Sequence, residues 1–102
     1  MTDITAMHRV LVDRVLEGDG LASRQMRRAA FDNAGLAEPM RTLIDKVAQH
    51  AYKVTDEDIA AVRAAGLSED QIFEIVVCAA IGQSTHQYES GLAALDAASE
   101  GR

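Results

Sequence analysis

A strongly apolar stretch, residues 72–81, constrains the fold of this chain more than any other part of the sequence. It follows Ser68 and Gln71, which have the spacing of a helix capping box and predict that a helix begins at Glu69. Continued as a helix, residues 72–81 are apolar on nearly every side, and Glu74 is their only charged residue. A helix of this kind must be buried on most of its sides, so other helices are expected to pack around it.

The apolar pattern continues beyond Gly82 in step with its first part, which predicts one helix from residue 69 to about residue 97. We expect this helix to be loosened at Gly82 and Gly91, since each glycine costs about 1 kcal/mol relative to alanine. Its length is about 43 Å, whereas a compact domain of this size has a radius of gyration of about 13 Å. The end of the helix is therefore predicted to overhang the domain and to need a partner, most simply a second copy of the chain. The interface candidates on this stripe are Val77, Ile81, Tyr88, Leu92 and Leu95.

Four shorter helices are predicted upstream from apolar periodicity and local stop signals. Their ranges are residues 3–16, 24–33, 39–51 and 56–65. The third begins at Pro39, which suits a first helical turn because its missing N–H has no helical partner there. The fourth follows Thr55 and Asp58, which resemble a capping box, and Gly66 is expected to end it with a positive φ.

These elements predict an all-α fold, a small bundle of about five helices that ends in one long helix. The sequence has one proline and four aromatic residues, which agrees with this class because β-rich folds use more turn prolines. The chain is expected to form a single helical domain, residues 1–102, with a frayed tail at about residues 98–102.

Charge and composition exclude several classes of function. The net charge of −6 disfavours nucleic acid as a partner, because phosphate binding needs a basic face. The one basic cluster is formed by Arg24, Arg27 and Arg28. We expect these side chains to form a solvated face that pairs with the chain's own carboxylates; a DNA-binding helix and an anion site are the weaker alternatives.

No apolar stretch approaches the roughly 20 residues that cross a membrane, and no signal peptide is recognisable. Cys78, the single cysteine, is expected to be a buried small apolar residue. The chain is expected to be cytoplasmic.

The turn between the last two predicted helices carries a family motif. Residues 64–75 read Ala-Ala-Gly-Leu-Ser-Glu-Asp-Gln-Ile-Phe-Glu-Ile and are followed by Ala79 and Ala80. This segment resembles the alkylhydroperoxidase-D (AhpD) and carboxymuconolactone decarboxylase family, and the resemblance extends over about residues 36–81. It implies an AhpD-like helical fold and a homo-oligomer built through helices.

The same resemblance implies that the catalytic residues of the family are missing. Peroxidase members carry Cys-x-x-Cys, a His four residues later, and the turn glycine eight residues after that; counted back from Gly66, these positions fall on Ala51, Val54 and Asp58. Thiol peroxidase chemistry needs an attacking and a resolving thiol, and neither thiol is present here. The decarboxylase branch is similar in keeping the His, which is Asp58 in this chain. The resemblance therefore favours a non-catalytic or accessory protein, without a cofactor, that acts through self-association or a protein partner.

An enzyme of the carboxymuconolactone decarboxylase type with a rearranged acid/base site is the alternative. Its candidate residues are His50, Asp58 and Glu38, which lies one residue from the position where the resemblance places an upstream glutamate. This hypothesis requires at least two of the three to meet in a pocket with shifted pKa values. The spacing of His50, Asp58 and His86 matches no metal-ligand motif, and no metal site is predicted.

Overall fold

The structure is a computed structural model that describes residues 4–100. All regular structure within these residues is helical, as predicted, and they contain no strand. The elements are α1 (Ile4–Glu17), α2 (Arg24–Asp32), α3 (Met40–Gln49), a single 3₁₀ turn (Ala51–Lys53), α4 (Asp56–Ala64) and α5 (Glu69–Glu100). The bounds of α1, α2 and α4 lie within one residue of those predicted, and the predicted first residue of α1, Asp3, lies outside the described residues.

The turn that joins α4 to α5 has the predicted local structure. Gly66 has φ +111° and ends α4, a conformation that side chains other than glycine adopt poorly. Ser68 and Gln71 then form a reciprocal cap, since Gln71 N donates to Ser68 Oγ at 3.1 Å and Ser68 N donates to Gln71 Oε1 at 2.8 Å. The predicted capping box of Thr55 and Asp58 at the start of α4 is also present.

Two predicted helix ends need correction. The helix that begins after Pro39 was expected to reach Ala51, but α3 ends at Gln49 and the chain forms the 3₁₀ turn instead. After this turn, Val54 packs against the cluster around Leu43 and Val62. A continued helix would place Val54 away from this cluster. At the other end of the chain, α5 was expected to end at about Ala97 but extends to Glu100. Residues 93–98 include four alanines, and alanine is the strongest helix former; residues 101–102 lie outside the described part.

α5 is the central helix, and the other four cover most of its first half, although Phe73 stays 69% exposed. Its most extensive contacts are with α2 and α3. One apolar cluster joins α5 to α1, α2 and α3 through the buried residues Leu16, Ala22, Ala30, Phe31, Ile44, Ile75, Cys78 and Ala79. A smaller cluster joins α5 to α3 and α4 through Leu43, Val62 and Ile72. The burial of the apolar stretch inferred from the sequence therefore comes from four helices packed around one.

Gly82 serves close packing and does not loosen α5, contrary to expectation. The helix runs unbroken through Gly82 and Gly91. Gly82 is buried against α2, where a side-chain carbon at this position would overlap the backbone carbonyl of Phe31. At Gly91 the same carbon would meet no atom of the chain within 4 Å. The two glycines thus lie in opposite environments on one helix.

The second half of α5 extends beyond the bundle. Its 32 residues span about 48 Å at about 1.5 Å per residue, close to the longest dimension of the molecule, which measures 54 × 28 × 21 Å. The radius of gyration is 15.6 Å, above the roughly 13 Å typical of a compact domain of this size. All side chains of residues 86–99 are exposed, and this segment is called the overhang below. None of the helices in the described part is long and apolar enough to cross a membrane.

Candidate functional site

Two of the three predicted acid/base residues share a cavity. Glu38, just before α3, and Asp58, in the first turn of α4, line a shallow cavity of about 250 Å³ together with Thr42. His50 is absent from its lining. It lies exposed at the end of α3, with its ring 6.0 Å from the ring of Tyr52. The structure therefore brings two carboxylates together and leaves the imidazole outside.

The carboxylate of Glu38 is held by the first turn of α3. It accepts hydrogen bonds from Thr42 Oγ1 at 2.7 Å and from Thr42 N at 2.8 Å, and Arg41 Nε lies 3.9 Å away. The hydrogen bonds from Thr42, chiefly that of the side chain, hold the pKa of Glu38 below its ordinary value. The negatively charged carboxylate of Glu38 thus accepts a hydrogen bond from an N–H group that the N-terminus of α3 leaves without a helical partner.

Asp58 is similarly engaged, and its partner is a lysine that the sequence analysis did not single out. Lys46 Nζ on α3 donates to both carboxylate oxygens, at 2.8 and 3.1 Å, and Thr55 N donates at 2.9 Å. The hydrogen bond from Lys46 is the main cause that lowers the pKa of Asp58, followed by that from Thr55. A general base works best with a pKa near the operating pH. The pKa values of both carboxylates are instead lowered, and both carboxylates accept hydrogen bonds from their own helices. The cavity is therefore poorly arranged for proton transfer.

The five interface candidates fall into two groups. Ile81 packs against the apolar core, and half-buried Val77 lines a cavity near α1, so the chain itself covers both in part. The other three lie on the overhang with large exposed fractions: 42% for Tyr88, 44% for Leu92 and 65% for Leu95. The apolar surface of α5 that is free for a partner therefore begins near Tyr88.

α1 packs beside the start of this apolar surface. It crosses the base of the overhang, where His8 Nε2 and Thr85 Oγ1 are 2.7 Å apart and the ring of Tyr88 lies 6.0 Å from that of His8. The outer side of α1 exposes three further apolar side chains, those of Met7, Val10 and Leu11. Two neighbouring elements of the same chain thus present apolar side chains to solvent at one end of the molecule.

The basic cluster differs from expectation at one residue. Arg24 pairs with Glu17 at 3.6 Å and Arg28 pairs with Asp32 at 3.1 Å, both at the surface. Arg27, expected on the same solvated face, is only 5% exposed.

Arg27 is buried because its guanidinium caps the end of α1. Nη1 donates to the carbonyl oxygens of Gly18 at 2.7 Å and Val15 at 3.2 Å, groups that a helix end leaves without partners. The sequence carries a signal for this burial, since Ala30 and Phe31 follow Arg27 at i+3 and i+4 and are buried themselves.

A second cavity, of about 150 Å³, lies beside Arg27 between α1, α2 and α5. Cys78 lines it, and its Sγ lies 3.5 Å from the carbonyl oxygen of Val15. Burial raises the pKa of the Cys78 thiol, against a smaller opposing effect of the Arg27 charge. The thiol is therefore protonated at neutral pH and has little nucleophilic character. The sequence analysis identified the burial of Cys78 but not the cavity.

No group of three His, Cys, Asp or Glu side chains within residues 4–100 is placed to hold a metal ion. Comparison of the chain with protein-family models, curated proteins and solved structures returned no match.

Proposed function

We propose that this protein is a non-catalytic, accessory helical protein that acts through self-association, and that the overhang of α5 is its interface. The observation that carries the proposal is the second half of α5, which extends beyond the bundle and exposes apolar side chains. Burial of one aliphatic side chain stabilises by about 1.5–3 kcal/mol, and several exposed together on one face are typical of an interface.

The spacing along α5 favours a helix as the partner. Ile81, Ser84, Tyr88, Gly91 and Leu95 follow one another at alternating intervals of three and four residues, the spacing of a coiled-coil seam. Two members of this series, Ser84 and Gly91, are small, and a partner helix approaches closely at small residues. Leu92 flanks the seam and adds to its apolar area.

A second copy of the chain is the partner that fits this surface. The exposed side of α1 carries the apolar side chains of Met7, Val10 and Leu11, beside charged residues of both signs. When the overhang of one copy lies along α1 of another, two apolar surfaces cover each other. Two-fold symmetry forms this contact twice and closes the assembly.

The resemblance to the AhpD and carboxymuconolactone decarboxylase family is part of the proposal. The capped turn at residues 66–71 supports it, together with the apolar helix that follows. The positions that match the family's two thiols and His are Ala51, Val54 and Asp58. In this proposal the chain is a member that has kept the helical framework for assembly and lost the catalytic groups.

A decarboxylase-type enzyme is the second candidate, favoured by the cavity that Glu38 and Asp58 share. It receives less support, because both carboxylates accept hydrogen bonds from their own helices and both have lowered pKa values. Turnover of a carboxylated lactone by the wild type that disappears in Asp58→Asn, while circular dichroism shows the variant to be folded, would establish it.

Sedimentation equilibrium tests the leading proposal. We expect the wild-type protein to sediment as a dimer or larger species at tens of micromolar, and the double variant Leu92→Asp/Leu95→Asp to sediment as a monomer. The change places two charges within the apolar contact, and burying an unpaired charge is strongly unfavourable.

The matched control is Ser90→Asp/Ala97→Asp, which adds the same charge to exposed positions on the opposite side of the overhang. We expect this variant to associate like the wild type. A wild-type protein that is monomeric at this concentration, or a control that dissociates as fully as the Leu92→Asp/Leu95→Asp variant, would contradict the proposal.

A further inference from the structure

One large apolar side chain of α5 is exposed at the end of the helix opposite to the overhang. Phe73 is 69% exposed, and it lies beside half-buried Val77 in the lining of the cavity near α1. Single exposed apolar side chains are common on protein surfaces, so the significance of Phe73 depends on its position relative to the overhang.

Phe73 belongs to a regular stripe that runs along α5 into the overhang. The intervals between its members are four, three, four, four, three and four residues. The members are uncharged and, apart from half-buried Val77, exposed: Phe73, Val77, Ala80, Ser84, Tyr88, Gly91 and Leu95. Phe73, Ser84 and Leu95 are spaced by eleven residues, a repeat of about 3.67 residues per turn that lies close to the helical period, so the stripe stays on one side of a nearly straight helix.

The intervals of the stripe read the same in both directions from Ser84. Two copies of α5 that lie antiparallel about a two-fold axis at Ser84 therefore match their stripes. The facing pairs are Leu95 with the partner's Phe73, Gly91 with the partner's Val77, and Tyr88 with the partner's Ala80. In the two inner pairs a larger residue faces a smaller one, which lets the helices pack without voids. In a parallel pair each residue would face its own copy, tyrosine against tyrosine and glycine against glycine, and gaps would remain.

The residues near the axis allow a close approach of the two helices. The hydroxyl of Ser84 donates to the carbonyl oxygen of Ala80 at 3.1 Å, so this polar group keeps its hydrogen bond when a partner covers it. A side-chain carbon at Gly91 would meet no atom of its own chain within 4 Å. The space at Gly91 is therefore open to the partner's Val77.

α1 widens this surface on the same side of the molecule. Arg14 lines the cavity with Phe73 and Val77, and exposed Leu11 and Met7 lie on the same side of α1, three and seven residues before it. The stripe is about 33 Å long and two helices are about 20 Å wide. Together they give about 660 Å² per copy, near the roughly 800 Å² of a stable specific interface.

We propose that two copies of this chain pair through antiparallel α5 helices about a two-fold axis at Ser84, with Leu95 of each copy against the partner's Phe73. This pairing rests on the proposed self-association and gives it a register. The overhang of each copy covers the first half of α5 and the adjoining side of α1 of the other. Phe73, which the overhang alone leaves exposed, becomes buried.

Cysteine cross-linking tests the register. In a Cys78→Ala background, the full-length variants Phe73→Cys and Leu95→Cys each carry one thiol. After subunit exchange, a short bis-maleimide should link their equimolar mixture into a covalent dimer with one copy of each, identified by mass spectrometry. Neither variant alone should be linked, because identical positions lie about 33 Å apart in the antiparallel pair.

Two further single-cysteine variants test the position of the axis. Ser84→Cys should be linked to its own copy, since the two-fold axis brings the two thiols together. Ser90→Cys is the matched control, because it replaces an exposed serine on the opposite side of the overhang, and it should not be linked.

An exchange of large and small residues tests the packing by sedimentation equilibrium. Ala80→Phe should weaken association at least about tenfold, because it overpacks the contact with the partner's Tyr88 twice in each dimer. Ala80→Phe/Tyr88→Ala exchanges the two sizes across the axis and should recover most of the loss. Both positions are exposed in the single chain, so the fold itself does not depend on them.

Phe73→Cys that is linked to its own copy would show parallel helices and overturn the proposal. A wild-type protein that is dimeric, with neither the mixed cross-link nor the Ser84→Cys cross-link, would overturn this register and leave the proposed self-association standing. So would a double variant that associates no better than Ala80→Phe. A monomeric wild type would overturn both proposals.

Discussion

Asp58 links two helices through one carboxylate. Its oxygens accept from Lys46 on α3 and from the N-terminal backbone of α4, and the side chain of this aspartate is only 13% exposed. An ion pair at such a partly buried position is screened less by solvent than one on an open surface. The residue expected to replace a catalytic His therefore positions α4 against α3.

The stability of the fold should depend on pH through Asp58. Its folded pKa lies below the ordinary value of 3.8, so its stabilising effect is complete above that value and is lost as pH falls through the folded pKa. We expect Asp58→Asn to lower the free energy of unfolding at neutral pH and to weaken its decrease below about pH 4. Urea denaturation at several pH values measures both effects; the same acid dependence in both proteins would assign the loss to other carboxylates.

Cys78 should take no part in redox chemistry. Its thiol is buried and neutral, with a pKa raised by desolvation, and no second cysteine exists in the chain to resolve an oxidised sulfur. We expect the wild type and Cys78→Ala to consume peroxide at the same background rate in the presence of a dithiol. A clear loss of turnover in the variant would contradict this expectation.

At the scale of elements, the packing of α2 on α5 depends on the absence of a side chain. Gly82 faces the Phe31 carbonyl so closely that no side-chain carbon fits between the two helices. A backbone group held within α2 cannot rotate away as a side chain can. The contact thus fixes how near the two helices approach.

Gly82→Ala and Gly91→Ala should therefore have opposite effects on stability. Both remove a helix-interior glycine, a gain of up to about 1 kcal/mol, but at Gly82 the overlap with α2 costs about 1–3 kcal/mol or more. We expect Gly82→Ala to be destabilising and Gly91→Ala to be neutral or stabilising. Thermal unfolding in the Leu92→Asp/Leu95→Asp background measures the two changes in stability without a contribution from association. If both substitutions proved stabilising, α2 would be able to move away from α5 at little cost in free energy.

The sequence predicted elements better than their contacts. Caps at Ser68 and Thr55 and the apolar run depend on neighbouring residues, so local patterns reveal them. The roles of Arg27, Gly82 and Lys46 depend on residues distant in sequence or on another helix: a carbonyl at the end of α1, a carbonyl on α2 and a carboxylate on α4. Such partners are unknown until the helices are placed. For that reason the burial of Cys78 was predicted correctly, whereas the arginine cavity beside it was not.

At the scale of the whole molecule, folding and the overhang are separable. The buried residues that α5 contributes to the two clusters are Ile72, Ile75, Cys78 and Ala79, and the α5 residues packed against them, Val76 and Ile81, also precede Gly82. We expect a chain that ends at Gly91 to keep its free energy of unfolding within about 1 kcal/mol, because residues 92–99 are exposed, and to sediment as a monomer. Circular dichroism and sedimentation measure the two outcomes; a truncated chain that fails to fold would show that the bundle requires the distal part of α5.

The orientation of α5 also governs how the molecule rotates in solution. The helix spans about 48 Å along a molecule whose longest dimension is 54 Å, so its N–H bonds point nearly along the long axis. Only slow end-over-end tumbling reorients these bonds, while bonds inclined to the axis also sense the faster spin about it. In the monomeric Leu92→Asp/Leu95→Asp variant, amide nitrogens of α5 should therefore show higher ratios of longitudinal to transverse relaxation time than those of the loops, as a signature of anisotropic rotational diffusion.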